Sequence, residues 1–199
     1  MFPSRLVPVV AAFVVTLSLS SNLHAQRGAI TAPRNLAELT NAAHVIVRGH
    51  VLSASYEAHP QFSNLKTVVV TLRVADTLKG SAPAVFTFRQ FIWDVRDQFN
   101  AAGYRPGQEL VLLMTRPSSL GLSVPVGLEQ GRFRIVRQNG KTLAINGHGN
   151  AGLFSGMQAQ LQAGRLVLSK VSSDIVRQNR QSLGADELSR LIRELGEKK

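Results

Sequence analysis

Four histidines come first among residues able to do chemistry. His44, His50, His59 and His148 could in principle gather at a metal ion, but none stands in a ligand spacing such as H-E-x-x-H. His50 and His59 flank one hairpin and could approach each other; the plainer expectation is strand histidines in contact with water. Gly147-His148-Gly149-Asn150-Ala151-Gly152 matches the G-x-G-x-x-G fingerprint of dinucleotide sites, and Asp174 follows at about the spacing of the ribose acid. A dinucleotide loop should link a parallel strand to a helix. This one follows an Asn139-Gly140 hairpin and runs into Ser155-Gly156, a poor helix opening, so a glycine-rich structural loop is expected. Gly152-Leu153-Phe154-Ser155-Gly156 misses the G-x-S-x-G nucleophile elbow by one position. The chain has no cysteine, which removes thiolate nucleophiles, Cys-ligated zinc and disulfides. No cofactor or metal is expected.

The residues better suited to binding are basic and aromatic. The formal charge of +11 predicts attraction to an anionic surface, set against the plainer reading of a solvated basic face. Arg48, Arg73, Arg89, Arg132 and Arg134 fall on or beside the polar faces of expected strands. Phe86, Phe88 and Phe133 fall on the opposite, core-facing side. Single-strand nucleic-acid sites interleave aromatics with basic groups, so nucleic acid is not expected. An anionic polysaccharide or a protein partner fits better. The segment 92–107 is longer than an ordinary connection and carries Trp93, Asp94, Arg96, Asp97, Phe99 and Tyr104. Trp, Tyr and Arg dominate binding hot spots. The candidate binding residues are therefore Trp93, Arg96 and Tyr104, with Arg73 and Arg132 as exposed basic partners. The competing reading folds Trp93 and Phe99 back as a cap on the core.

These residues need a scaffold, and residues 45–80 supply it. Val68, Val70, Leu72 and Val74 alternate with Thr67, Thr71 and Arg73, the period of a half-buried strand. Val45–Tyr56 alternates less cleanly, and Gly49 inside it marks a bulge or a tight bend. Pro60 lies in the connector. Further strands are expected at 84–91, at 109–114 (apolar on both faces, hence central), at 131–138 and 141–145 around Asn139-Gly140, and at 165–169. A short helix starts at Asn35 as N-cap with Glu38 in its first turn. Leu188, Leu191, Ile192 and Leu195 at i, i+3, i+4, i+7 mark an amphipathic helix over 185–195. The expected fold is mainly β: a small antiparallel, OB-like, closed or nearly closed barrel with an N-terminal and a C-terminal helix.

Residues 1–25 have the pattern of an export signal: Arg5, an apolar run over 7–19, and Leu23-His24-Ala25 before Gln26. An uncleaved anchor is the alternative. No later run reaches the ~20 apolar residues of a membrane span. The expected organisation is a signal at 1–25, a tether at 26–34, a β-barrel domain at 35–170 and a C-terminal segment with a helix at 171–199. The expected location is periplasmic or extracellular.

Val45-Ile46-Val47-Arg48-Gly49-His50-Val51, Leu72-Arg73-Val74 with Leu78-Lys79-Gly80, the run Tyr104 to Leu113, and Gly131-Arg132-Phe133 occur in an order that resembles the OB-fold-like barrel of netrin-type modules and tissue inhibitors of metalloproteinases. Uncharacterised exported bacterial proteins share it. The resemblance covers roughly residues 36–137. Those inhibitors hold zinc through an N-terminal Cys, which this chain lacks, so the inhibitory mechanism does not carry over. The resemblance implies an exported, non-enzymatic interaction module. The alternative is an exported hydrolase with a His/Asp/Ser site outside known motifs.

Overall fold

The computed structural model describes residues 31–92 and 94–197; residues 1–25, expected as a signal, lie outside them. The strands are β1 (Val45–Ala58), β2 (Lys66–Lys79), β3 (Val85–Phe91), β4 (Glu109–Met114), β5 (Arg132–Gln138), β6 (Lys141–Asn146) and β7 (Leu183–Gly184). The helices are α1 (Leu36–Ala42), α2 (Met157–Gln162), α3 (Lys170–Gln178) and α4 (Ala185–Gly196). All strand pairs are antiparallel, in one sheet of order β3-β2-β1-β4-β5-β6-β7.

The sheet is not closed into the expected barrel. Its edges are β3 and β7, and closure would need those two to pair. Instead β7 is two residues long, pairs with β6, and passes straight into α4. The loop after β4 makes two single bridges, Met114 to Pro125 and Arg89 to Leu122, which tie β4 to β3 without adding a strand.

β4 explains the layering. Leu110, Leu112 and Met114 enter one core with Val47, Val51, Val70 and Phe88; Val111 and Leu113 enter the other with Ile46, Phe133 and Leu191. A strand buried on both faces needs cover on both sides. The helices cover one face. Packing among β1, β2, β3 and the loop after β3 covers the other. Phe88 and Phe133, expected on one core-facing side, therefore sit in different cores.

Local chemistry fixes the ends. At α1, Asn35 Oδ1 accepts from Glu38 N–H at 3.0 Å and Glu38 Oε2 accepts from Asn35 N–H at 2.9 Å, a reciprocal capping box. Lys79 Nζ donates to the Thr40 and Ala43 carbonyls at 2.6 and 2.8 Å, satisfying orphan acceptors at the other end of the helix. The β1–β2 register shifts at Arg48/Gly49, and a Cβ on Gly49 would lie 2.3 Å from Arg73 O, so the bulge needs glycine.

Residues 165–169 are not a strand. Ser169 Oγ caps α3, and the segment only leads into it. α3 and α4 share the core of Ile46, Val111 and Phe133, so the C-terminal segment belongs to the same body as the sheet. No described helix is long and apolar enough to cross a membrane.

Candidate functional site

The segment between β3 and β4 has a buried base and an exposed tip. At the base, Tyr104 packs edge-on against Phe88, ring centres 5.7 Å apart, and its hydroxyl donates to Gln90 Oε1 at 3.0 Å. Arg132 Cζ lies 4.6 Å from the Tyr104 ring centre. Its Nη1 donates to Ala102 O at 2.7 Å and its Nη2 meets Glu129 Oε1 at 2.6 Å. Burial pushes the Tyr104 phenol up to about 12, against a smaller opposing pull from Arg132. Burial works against the Arg132 charge, but Tyr104 and Glu129 outweigh it and hold its pKa above the usual value.

These positions correct two expectations. Tyr104 is a core residue rather than an exposed anchor, because its ring closes the second core beside Phe88 and Ile92. Arg132 is not an exposed basic residue: its side chain is 14% exposed, since β5 aims it at the loop base rather than at water.

The tip is built differently. Asp94 Oδ1 accepts from Arg96 N–H at 2.9 Å, opening a 3-10 turn over Val95–Gln98, and the Arg96 guanidinium folds back onto the same carboxylate. Arg96 is thus exposed but already ion-paired. Phe99 is 88% exposed and Val95 is 58% exposed. Phe99 does not fold back onto the core. The chain then returns through Ala101 (φ 49°), Ala102 (φ 53°) and Gly103 (φ 80°), a left-handed run that includes two alanines. Such conformations are costly for residues with a Cβ and recur at functional sites. Asn100 Oδ1 helps hold them by accepting from Gly103 N–H at 3.3 Å. Trp93 lies outside the described residues.

The five arginines do not form one basic face. Arg48 pairs with Glu109 and Asp186, Arg89 with Glu57, and Arg132 with Glu129. Arg73 and Arg134 are exposed and make no ion pair among the described residues, but they stand on β2 and β5, with two strands between them. The bulge, the Tyr104 base and the half-buried glutamates divide charges that looked continuous in sequence.

The motif candidates resolve into structure. The N–H groups of His148 and Asn150, which a phosphate would need, donate to Asn146 Oδ1 at 3.0 and 2.8 Å. Asn150 Oδ1 in turn accepts from Asn146 N–H at 3.0 Å. The fingerprint is a turn held by its own side chains. Leu153 O and Ser155 O accept from Leu36 N–H and the Asn35 side chain, so the segment after the turn seats α1. His59 is buried; Nδ1 accepts from Gln61 N–H at 3.2 Å and Nε2 donates to Leu120 O at 2.9 Å. His50 Nε2 stands 3.9 Å from Glu109 Oε2, but Arg48 Nε already holds that carboxylate at 2.7 Å. Among the described residues no three His, Cys, Asp or Glu side chains group as a metal site.

A cleft of about 400 Å³ opens beside β3, lined by His44, Val45, Phe86, Phe88, Thr115 and Pro117 among others. Nothing in the sequence pattern marked it, because its walls come from four separate segments. The same holds for Phe99, whose exposure depends on the left-handed return at 101–103. No family model, no curated protein and no solved structure matches this chain.

Proposed function

We propose that the chain is an exported, non-enzymatic interaction module whose contact element is the loop between β3 and β4. One observation carries this reading: Phe99 is 88% exposed on a loop whose base is pinned by Tyr104 and Arg132 and whose backbone adopts left-handed alanines. A large aromatic side chain in water has no folding role. A rigid aromatic presented at low entropic cost is what a protein-binding hot spot needs. Exposed Val95 on the same loop adds apolar surface, and the folded-back Arg96 adds charge. A protein partner fits that composition better than an anionic polysaccharide, since the arginines that could bind a polyanion are dispersed or already paired.

The β3-β2-β1-β4 part, tied by bridges from Arg89 to Leu122 and from Met114 to Pro125, supports reading this half as OB-like and nearly closed, in line with the resemblance to netrin-type modules. Export rests on the apolar run over 7–19. Intact-mass analysis of the chain recovered outside the cytoplasm should give a start at Gln26; a chain still beginning at Met1 contradicts it. The hydrolase alternative rests on His50 and Glu109, which meet loosely while Arg48 holds the other oxygen of the same carboxylate. The contact loop itself is tested by capture from extracts of the source cells with the wild type and Phe99→Ser. Loss of a captured partner only in the variant supports the reading.

A further inference from the structure

Along β3, alternate residues turn their N–H and C=O groups away from β2. Val74 N–H donates to Ala84 O at 2.8 Å and Ile92 N–H to Lys66 O at 3.2 Å, which places the even-numbered residues in the β2 ladder. Val85, Thr87 and Arg89 therefore face outward. The chain already uses that edge at Arg89, where Ser123 N–H donates to Arg89 O at 2.9 Å and Leu122 forms a parallel bridge. The added segment stops there. Among the described residues no main-chain group pairs with the outward side of Val85 or Thr87.

The cleft of about 400 Å³ opens at this point, with Val45, Phe86, Phe88 and Pro117 in its wall. No carboxylate lines it. Arg73, opposite Val85 on β2, and Arg116, between the cleft residues Thr115 and Pro117, are both exposed and make no ion pair among the described residues. Open main-chain groups, a cleft of mixed lining with an apolar wall of Val45, Phe86, Phe88 and Pro117, and two guanidinium groups without an ion-pair partner among the described residues define one class of ligand.

We propose that the β3 edge at Val85–Thr87 is a strand-addition site for an extended acidic peptide segment of a partner protein. The peptide pairs with the outward N–H and C=O groups, sets one apolar side chain in the cleft, and places carboxylates against Arg73 and Arg116. Edge strands left open in this way need either protection or a partner. The site is separate from the Phe99 tip, so either proposal can fail alone.

The test uses a fluorescein-labelled, N-acetylated peptide of alternating valine and glutamate, about ten residues long, a length that spans a typical strand. A valine–lysine peptide is the control. Anisotropy on the full chain should show the acidic peptide binding at least about ten-fold tighter than the control, a difference of ~1.4 kcal/mol. Thr87→Pro deletes the outward N–H without touching the β2 ladder and should weaken binding about ten-fold or more. Thr87→Val loses the same hydroxyl but keeps the N–H and should bind like wild type. Arg73→Glu with Arg116→Glu should weaken the acidic peptide and strengthen the basic one. Amide shifts of the wild type on titration should centre on Val85–Arg89, a readout that survives if Thr87→Pro misfolds. Equal binding of both peptides, unchanged affinity in Thr87→Pro, or shifts elsewhere would overturn the proposal. So would a wild-type dimer that Thr87→Pro dissociates, since the edge would then belong to a second copy.

Discussion

Arg132 Cζ stands 4.6 Å from the centre of the Tyr104 ring, and the same guanidinium holds Ala102 O and Glu129. One side chain from β5 thereby holds the middle of the left-handed return that follows Phe99 and the Tyr104 ring just after it. Arg132→Ala should lower stability by about 2 kcal/mol, from the lost cation–π contact and two charge-assisted hydrogen bonds. Arg132→Lys should recover less than half of this, because an ammonium cannot span Ala102 and Glu129 together. Chemical denaturation of the three proteins measures it.

Tyr104 should give the fold an alkaline limit. Its phenol titrates near 12 when folded against 10.0 when free, so above pH 10 the native state holds a proton that the unfolded chain releases. The stability contribution is complete below pH 10, falls as pH rises from 10 towards about 12, and is then gone. Tyr104→Phe should remove this limb, as read from denaturation midpoints against pH.

At the acid end Glu194 is the group to test. Burial raises its pKa, but the Ser172 hydroxyl and the Ser169 N–H and hydroxyl, with Arg190 nearby, outweigh that and hold it below 4.5. Its contribution is present above pH 4.5 and is lost as pH falls through the lower folded value. Glu194→Gln should flatten the acid limb and loosen the first turn of α3, seen as faster amide exchange at Ser172.

Gly49→Ala should destabilise by roughly 1–3 kcal/mol, because the new Cβ meets Arg73 O at 2.3 Å and the bulge must shift. Thermal unfolding measures it. A variant as stable as wild type would mean that the bulge tolerates a side chain.

What was legible in the sequence was what depends on local period and capping. The alternation in β2, the two-faced apolar run of β4, the Asn139-Gly140 hairpin, the Asn35–Glu38 box and the helix expected over 185–195, one residue longer in the structure, all stand where the pattern places them. The open sheet was not legible, because whether β3 and β7 meet is a property of long-range order. α2 and α3 escaped because both are short with few apolar positions, and Gly156 gives α2 no side-chain cap. At the site, Arg96 and Arg73 are exposed as the pattern implied. Tyr104 and Arg132 are not, since nothing in their neighbours reveals that the two side chains meet.

The loop's role turns on Phe99, and one paired measurement tests it most directly. Phe99→Ser should leave the denaturation midpoint within about 0.5 kcal/mol of wild type, because the ring touches little. The same variant should lose the partner that wild type captures, together with the fluorescence change that binding produces in Trp93, the only tryptophan. A midpoint lowered by several kcal/mol with capture intact would contradict the account and make Phe99 a structural residue.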